Sequence, residues 1–554
     1  MSRADELLSS MSLREKIGHM VCVRAYNFKE KIPKMLSEGL ISGLGAVIIT
    51  QKGSRDLEPV IGIINEYKKL SKFPLLLYMD AECGIRDMFN FGTIFPSLMA
   101  LGATRSKELA YKMGYIIGKE ASAIGISMAS NPVLDINNNP DNPIINTRAF
   151  SDNVELVIDL AGEYIKGIQE AGVIPNGKHF PGHGDTDMDS HVAMPVISHS
   201  KEYLMKNELL PYKVLIKDGM LGVMTAHIMF PSLVGSNEEG LPATLSRNII
   251  TNLLRKELEF DGLIVSDSLA MKGIRDVYGL EKSAVLAVKA GHDIILQDYN
   301  SDPDITIDAV VSAAESGELN IEQINESVRR ILEIRESLGN LNNQQIDIDM
   351  VKKAVGSDEN VAVAIEIADK SITVLENRDI PFMPDTNEKV LVIATKTEEE
   401  GSVAEDLHSN IVGKSGYMFD ECKKYIKNVE FAVINENPDP QETEELLKLA
   451  ENYERVVFGT FIRVISYKEG SGSIPAAQAK LIEMLNKTIK KPVIVIFGSP
   501  YALKKLPKLN NCIVAYSDCE YSIDAAMKVL FGKLKPEGKL PVTVNDKYIN
   551  GYGL

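Results

Sequence analysis

The segment GLIVSDSLAM, residues 262–271, decides the fold class. Leu263, Ile264 and Val265 are consecutive apolar residues, and the carboxylate of Asp267 follows where this run ends. A strand that is apolar on both faces is typical of a parallel sheet, because helices cover both sides of such a sheet. The segment therefore predicts a buried parallel strand with an acidic group at its carboxyl end.

The first 300 residues, approximately, repeat this pattern. Between the apolar runs lie segments with apolar residues at helical spacing, such as 106–125 and 153–172, and both of these end at a glycine. The other strand-like runs are GHMVCVRA (18–25), GLGAVIIT (43–50), PLLLYMDAE (74–82), ISMASNPVLD (126–135), VIPNGKHFPG (173–182), LGVMTAHIMF (221–230) and DIILQDY (293–299). With the opening segment they make eight β/α repeats, which predict an α/β fold with a (β/α)8 barrel of the TIM type.

Polar residues recur at the ends of these strands. They are Asp80, Asp135, Lys178 with His179, His227, Asp267 and Gln297. The carboxyl ends of all barrel strands open at one face, where such folds keep their chemistry. The pattern therefore predicts that these side chains meet in one site.

The remainder of the chain predicts a second domain. The Asn/Gln-rich segment GNLNNQQIDID, residues 339–349, marks a boundary within a helical and polar region. A new α/β pattern follows in the runs KVLVIAT (389–395), VEFAVINE (429–436), ERVVFGTFI (454–462), KPVIVIFG (491–498) and NCIVAYSD (511–518). We predict a barrel over residues 1–340, a helical and polar linker over 341–376, and a smaller α/β sandwich over 377–554.

Composition narrows the class of protein. The 554-residue chain has a net charge of −17 and a pI near 5.1, which argue against a general nucleic-acid or anionic-membrane surface. The N-terminal residues lack an apolar leader, and no run of about 18 apolar residues predicts a membrane span. The cysteines number five, which is odd and does not suggest a set of disulfides, so we predict that they are reduced core residues. We expect a cytoplasmic protein without nucleic-acid or membrane partners.

The loop GKHFPGHGDTDMDSH, residues 177–191, concentrates histidine and aspartate, and three interpretations are open. His179 and His183 stand four apart, as metal ligands on a helix do, but Pro181 between them opposes a helix, so we expect no metal. Histidine and aspartate are also good loop and capping residues, which allows a purely structural role.

The third interpretation is an acid/base dyad of Asp189 and His191. These residues flank a single serine, so the carboxylate can hold one ring nitrogen and leave the other to move protons near neutral pH. Asp267 would be the partner of the dyad, a nucleophile that attacks an anomeric carbon as in retaining glycosidases. The alternative role for Asp267 is an N-cap of the following helix.

The same residues carry a resemblance to a known family. KHFPGHGDTDMDSH closely resembles the signature of the glycoside hydrolase family 3 β-N-acetylglucosaminidases, including their Asp-x-His acid/base loop. Further similar stretches run in the family's order, and the tail beginning KPVIVIFGSPYALKKL resembles the family's second domain. Those stretches are DAECG, NPVLDINNNPDNPIINTRAF, VMTAHIMFP, GLIVSDSLAM and SITVLEN. The resemblance spans nearly the whole chain.

This resemblance implies a retaining β-N-acetylhexosaminidase without a cofactor, which removes terminal β-GlcNAc from a small glycoside through a covalent glycosyl-aspartate. It implies Asp267 as the nucleophile and His191, assisted by Asp189, as the acid/base. His227 either lines the pocket or is a buried structural histidine. The residues that the resemblance assigns to sugar hydroxyls are Asp80, Arg148, Lys178 and His179.

Two stretches depart from the family pattern, DAECGIR and the Asn-rich DINNNPDNPIINTRAF, and different functions remain open. The family's Asp-x-Glu-Gly-Gly-Arg reads DAECGIR here, so no binding role is carried over to Cys83 or Arg86. A family 3 β-glucosidase would take its acid/base from a loop of the second domain, where Glu469 is the candidate. Phosphorolysis in place of hydrolysis is also open, as is carbohydrate binding without catalysis. The oligomeric state and the exact sugar are not fixed by the sequence.

Overall fold

The structure is a computed structural model that describes residues 2–25, 34–49, 55–190, 194–297, 301–382, 388–396 and 414–554. The chain divides into two compact units. The first unit comprises Met1–Thr93, Ala110–Asp135 and Ala161–Asn360, and the second comprises Ile94–Leu109, Ile136–Leu160 and Val361–Leu554. The predicted domain limits at residues 340 and 376 remain predictions.

Parallel strands form the centre of the first unit. They are β1 (Val21–Ala25), β2 (Ala46–Ile49), β3 (Leu76–Met79), β4 (Met128–Ala129), β5 (Ile174–Pro175), β6 (Gly177–Phe180), β7 (Gly222–Thr225), β8 (Leu263–Ser266) and β9 (Ile295–Leu296). One sheet has the order β5-β4-β3-β2-β1-β9 and the other the order β6-β7-β8. Asn176 alone separates β5 from β6, and a parallel bridge between Val265 and Ile294 joins β8 to the start of β9. The strands therefore curl into a ring, and each of the predicted runs contributes to it.

Alternate residues of these strands meet in one buried apolar cluster. Leu76 and Tyr78 of β3 belong to it, as do Leu263 and Val265 of β8. Side chains two apart on a strand share a face, so this cluster fills the inside of the ring, as a packed barrel requires. Tyr78 also accepts a hydrogen bond at its hydroxyl from Asn176 Nδ2 at 3.1 Å.

Helices connect the strands, including both segments with helical spacing in the sequence. The α-helices are Arg3–Ser10, Leu13–His19, Lys34–Ser42, Leu57–Leu70, Leu98–Thr104, Lys107–Ala123, Val154–Glu170, Lys201–Lys206, Leu210–Lys217, Lys272–Tyr278, Leu280–Ala290, Pro303–Glu315, Ile321–Ser337, Ile348–Ala354, Asp358–Ser371, Lys414–Lys423, Pro440–Ala450, Ala476–Thr488 and Glu520–Leu530. Asn248–Glu257 is a π-helix. None of the helices in the described ranges combines the length and the apolar composition that a membrane span requires.

The second unit has its own sheet. Its strands are β10 (Thr373–Glu376), β11 (Val390–Thr395), β12 (Val429–Ile434), β13 (Arg455–Ile462), β14 (Lys491–Gly498) and β15 (Cys512–Val514). The order is β10-β15-β14-β13-β11-β12, and β10 pairs antiparallel with β15 while the other pairs are parallel. The five strand-like runs of the sequence each contain one of the strands β11–β15.

Both faces of this sheet are covered by apolar clusters. Val456 and Phe458 of β13 belong to one cluster, and Val457 and Phe461 belong to the other. The first cluster also contains Met99, Ala100 and Ala103 of the helix Leu98–Thr104, which lies between β3 and β4 in the sequence. A sheet buried on both faces is the layered arrangement expected of an α/β domain. The predicted two-domain α/β fold is confirmed.

Candidate active site

Asp267 follows strand β8, whose four residues are buried, and is itself partly exposed. Its backbone N–H donates to the Thr225 carbonyl at 3.2 Å, and its Oδ1 accepts from the Ser268 N–H at 2.7 Å. The next helix begins at Lys272 and has Met271 at its N-cap, so Asp267 does not cap that helix. The carboxylate is therefore oriented by the backbone and reachable at the strand end.

Lys178 in β6 lies against two carboxylates that follow β3. Its Nζ is 2.7 Å from Glu82 Oε1 and 3.4 Å from Asp80 Oδ1, and it donates to Ser130 Oγ at 3.2 Å. The Lys178 and Glu82 side chains are each 4% exposed, whereas that of Asp80 is 27% exposed. A buried ammonium needs such compensation. Two of the predicted sugar-binding residues, Asp80 and Lys178, are thus brought together.

Glu82 was not singled out from the sequence, although it lies in the DAECG stretch. A charged residue within a buried strand end was the signal that could have identified it, because such a residue needs a partner of opposite charge.

Asp135 is fully buried and holds two histidines of the next strand and loop. Its Oδ2 is 2.7 Å from His179 Nδ1, and its Oδ1 accepts from the backbone N–H of His179 at 3.1 Å and of His183 at 2.7 Å. Burial by itself raises the pKa of Asp135, but charge interaction with His179 and His183 and these hydrogen bonds outweigh it and lower the pKa below 3.8. An ionised Asp135 therefore fixes His179, the third predicted sugar-binding residue.

His183 organises the loop that follows β6. Its Nε2 lies 2.8 Å from Ser190 Oγ, and its Nδ1 lies 3.0 Å from Thr186 Oγ1. His183, Thr186 and Ser190 are all buried. One histidine thus ties the start of the loop to its far end.

Asp189, the predicted orienting acid, is partly buried next to Ser190. His191, the predicted acid/base, lies outside the described residues. A further Asp–His pair in the same region was not anticipated: His199 Nε2 lies 2.5 Å from Asp185 Oδ2, and the His199 ring packs against Tyr203 with centroids 4.2 Å apart. The two members of that pair stand 14 apart in the chain, so local spacing gives no signal of it.

His227 is buried, and each of its ring nitrogens contacts an oxygen atom of another residue. Nδ1 lies 2.9 Å from Thr244 Oγ1, and Nε2 lies 2.9 Å from the Ser268 carbonyl oxygen. A carbonyl only accepts, so Nε2 carries a proton. His227 therefore supports the backbone next to Asp267, and a direct sugar contact by its side chain remains a prediction.

Arg148 belongs to the second unit, where it ends the short 3₁₀ turn Asn146–Arg148. Its Nη1 donates to the Ile144 carbonyl at 3.0 Å. Asn146 has a φ of 43° and donates from Nδ2 to the Gly472 carbonyl at 3.4 Å. The role of Arg148 toward a sugar remains a prediction.

The loop that carries Glu469 contacts this turn within the second unit. Ser471 Oγ donates to the Pro143 carbonyl at 2.7 Å, while the side chain of Glu469 is exposed. The loop is thus attached by its serine and glycine, and its glutamate faces solvent.

A buried carboxylate, Glu120, holds Thr93, which follows the divergent stretch after β3. It accepts from the backbone N–H of Thr93 at 2.9 Å and from the Thr93 hydroxyl at 2.7 Å. It also accepts from the Gly356 N–H at 2.8 Å and from Asn360 Nδ2 at 2.7 Å. Cys83 and Arg86, for which no role was predicted, are partly exposed in this stretch.

No group of three or more histidine, cysteine, aspartate or glutamate side chains in the described ranges is arranged to hold a metal ion. The described polar groups at the strand ends instead form two charge-compensated sets, one around Lys178 and one around Asp135, with Asp267 as the accessible carboxylate. Such a set can bind hydroxyl groups and offers a nucleophile.

Comparisons with known proteins find similarity to one family in both units of the chain. Residues 12–334 match the Glycosyl hydrolase family 3 N terminal domain, and residues 372–550 match the Glycosyl hydrolase family 3 C-terminal domain. The chain is 29% identical over 562 residues to beta-hexosaminidase A of Pseudoalteromonas piscicida, covering 93% of this chain and 92% of that protein. It is 34% identical over 268 residues to a beta-hexosaminidase of Idiomarina loihiensis, covering 48% of this chain and 78% of that protein.

A solved structure extends this likeness to three dimensions. The glycoside hydrolase family 3 beta-N-acetylglucosaminidase from Paenibacillus sp. str. FPU-7 matches with a TM-score of 0.85 at 31% identity, covering 97% of this chain and 99% of that one. The similarity in sequence and the similarity in structure therefore span the same two units.

Proposed function

This chain belongs to glycosyl hydrolase family 3 and is a glycosidase of the β-hexosaminidase kind, and from that premise we propose how it works on its substrate. It removes a terminal β-linked N-acetylglucosamine from a small glycoside by double displacement, with retention at the anomeric carbon. The partly exposed carboxylate of Asp267, at the end of a buried strand, is the observation that carries this proposal.

Asp267 acts as the nucleophile. The Ser268 N–H holds Oδ1 and so orients the carboxylate, and a carboxylate oxygen of Asp267 attacks the anomeric carbon. A bond forms between that oxygen and the carbon while the bond to the leaving oxygen breaks, and the leaving oxygen takes a proton. Water then attacks the same carbon, gives up a proton, and releases Asp267 as a carboxylate.

His191 supplies the first proton and takes up the second. Asp189 fixes the imidazole by hydrogen bonding to one ring nitrogen, so the other nitrogen stays available for transfer near neutral pH. The support for this assignment is the sequence of the loop, its resemblance to the family signature, and the burial of Ser190 between the two residues.

Asp80, Lys178 and His179 bind hydroxyls of the terminal sugar. The exposed part of Asp80 offers an acceptor, and a sugar hydroxyl can take the place of the long 3.4 Å contact between Lys178 Nζ and Asp80 Oδ1. His179 is fixed through Nδ1 by Asp135, so its Nε2 is the nitrogen left for a sugar contact. His227 holds the backbone next to Asp267 through its hydrogen bond to the Ser268 carbonyl.

Trapping of the intermediate tests the nucleophile. A 5-fluoro-N-acetylglucosaminyl fluoride slows the second step, so mass spectrometry of a peptic digest should find the sugar on the peptide that carries Asp267. Asp267→Ala should abolish turnover while the circular dichroism spectrum stays native. A label on any other residue would remove the assignment.

A panel of nitrophenyl glycosides separates hydrolysis of N-acetylglucosaminides from the competing functions. We expect hydrolysis of the N-acetylglucosaminide far above that of the glucoside, and no effect of Glu469→Gln. Dependence on Glu469 would support a glucosidase instead. Formation of sugar 1-phosphate in phosphate buffer would identify phosphorolysis, and no turnover of any glycoside would leave a binding protein.

The natural substrate is a fragment of cell wall or chitin, and the enzyme works in the cytoplasm. All five cysteines are described and none of them forms a disulfide, as expected of reduced cysteines in that compartment. Assay of soluble muropeptide and chitobiose against the same enzyme preparation would rank the two sources of substrate.

A further inference from the structure

We infer that His227 carries a proton on both ring nitrogens, and that this imidazolium helps to keep the carboxylate of Asp267 ionised. The inference rests on the proposed function, since it takes Asp267 as the nucleophile. Thr244, which holds the second proton of His227, is then a positioning residue for the first chemical step.

His227 and Asp267 follow neighbouring parallel strands at their carboxyl ends. Thr225 of β7 is the register partner of Ser266 of β8, and the Asp267 N–H donates to the Thr225 carbonyl at 3.2 Å. His227 lies two residues beyond Thr225, and its Nε2 donates to the Ser268 carbonyl at 2.9 Å. The imidazole is therefore attached to the residue that follows the proposed nucleophile.

The buried hydroxyl of Thr244 decides the state of the other ring nitrogen. Thr244 Oγ1 lies 2.9 Å from His227 Nδ1 and 3.2 Å from Thr225 Oγ1, and it donates to the Ala226 carbonyl at 2.8 Å. A hydroxyl has one hydrogen and a carbonyl only accepts, so the Ala226 carbonyl takes the hydrogen of Thr244. Nδ1 must then bring its own proton to the Thr244 oxygen. With the proton on Nε2, this makes the ring an imidazolium.

The hydroxyl of Thr225 has no second hydrogen to offer Thr244. His292 Nδ1 donates to the Ala287 carbonyl at 3.0 Å, and His292 Nε2 lies 2.9 Å from Thr225 Oγ1. Burial, with the nearby charge of His227, lowers the pKa of His292 to about 4, so this ring is neutral and its Nε2 accepts from Thr225. The hydrogen of Thr244 is therefore needed on its oxygen neighbours and not on His227.

A buried cation needs a negative charge nearby, and Asp267 supplies it. The other described titratable groups beside this set of contacts are His292, which is neutral, and Asp293, whose charge is compensated by Arg255 at 2.8 Å and by Arg330. An opposite charge within about 4–6 Å lowers the pKa of a carboxyl group by about one to three units. Without the charge on His227, protonation of the nucleophile should begin at a higher pH.

The pH dependence of inactivation by 5-fluoro-N-acetylglucosaminyl fluoride measures this effect. A fluoride leaving group needs little help from a general acid, so the inactivation rate falls at low pH as the nucleophile takes up a proton. In Thr244→Val we expect the midpoint of that fall to move up by about one pH unit. In Thr244→Ser, which keeps the hydroxyl, the midpoint should stay at the wild-type value.

Two further variants assign the shift to the charge. His227→Gln can still donate to the Ser268 carbonyl but has no charge, so it should move the midpoint as far as Thr244→Val does, and the double variant should move it no further. Thr306→Val makes the same substitution at a buried threonine of the helix Pro303–Glu315. It is the matched control and should leave the midpoint unchanged.

A lower rate at every pH with an unmoved midpoint in Thr244→Val would overturn the inference, because Thr244 would then only pack. A shift in Thr244→Val without one in His227→Gln would overturn it as well, because the charge would not be on His227. Peptide mapping of the label separates these results from failure of the proposed function. A label on Asp267 with an unmoved midpoint removes the imidazolium alone, whereas a label on another residue removes both.

Discussion

Replacement of Asp135 by asparagine removes one charge from the framework beneath the candidate site and leaves its shape. Asp135 accepts three hydrogen bonds, two from backbone N–H groups and one from His179 Nδ1. The asparagine oxygen can replace Oδ1 and keep both backbone donors. Its amide then faces His179 Nδ1, which must change from donor to acceptor, so the other ring nitrogen takes the proton.

The size of the effect follows from these three bonds. A hydrogen bond to a charged acceptor contributes about 1.5–3 kcal/mol and one to a neutral acceptor about 0.5–1.5 kcal/mol, so the charge is worth about 1 kcal/mol for each bond. Three bonds give about 3 kcal/mol, divided between stability and catalysis. If all of it fell on the transition state, kcat/KM would fall by about a hundredfold.

The assay combines kcat/KM on nitrophenyl N-acetylglucosaminide with urea unfolding of Asp135→Asn and the wild type. Asp218→Asn, an exposed aspartate at a helix end, is the matched control. The pKa of Asp135 is below 3.8 in the folded protein, so its stabilisation is present above pH 3.8 and is lost as the pH falls below that value. Wild-type activity and stability in Asp135→Asn, or a stability difference that disappears between pH 7 and 5, would refute the reasoning.

Three further outcomes are expected. Burial lowers the pKa of His292 from 6.5 to about 4, so the folded state does not gain the proton that the unfolded state takes up. Stability is therefore unaffected by His292 above pH 6.5 and falls by about 3 kcal/mol as the pH falls from 6.5 to 4. Urea unfolding should show that wild type loses more stability than His292→Gln across that window, and parallel curves would contradict it. Glu120→Gln should cost about 2 kcal/mol in unfolding, because its amide would face a buried backbone N–H, and an unchanged transition midpoint would argue otherwise. Gly472→Ala should lower the melting temperature more than Gly470→Ala: both glycines have positive φ, but only the Cβ at 472 would lie 2.7 Å from Asn146 Nδ2. Equal melting temperatures would mean that this contact carries no stability.

The strands and the residues at their ends could be predicted, because parallel strands buried on both faces leave a strong apolar pattern. Asp80, Asp135, Lys178 and Asp267 were found in this way. Asp80 and Asp267 directly follow β3 and β8, whereas Lys178 lies within β6 and Asp135 lies six residues beyond β4. Such residues can be proposed as site residues from the sequence alone, because the carboxyl ends of barrel strands open at one face.

The partners of these residues could not be predicted, since they depend on how distant segments meet. Glu82 is paired with Lys178 across 96 positions of sequence, and Glu120 accepts from Asn360 across 240 positions. A carboxylate on the buried side of a helix indicates only that some donor is needed. Which donor fills the need is decided by the tertiary fold.

The second unit draws on pieces of chain from the first third of the sequence. Residues 94–109 and 136–160 belong to it, and Met99 and Ala103 lie in the core of its sheet. Fusion of the residues after 360 to the end of a barrel would therefore not supply the complete second unit. The segments after β3 and β4 and the strands after residue 372 therefore share one core. A chimera that exchanges only the residues after 360 between two family members would combine core residues from two different proteins. We expect such a chimera to fold well only when residues 94–109, 136–160 and 361–554 come from the same family member.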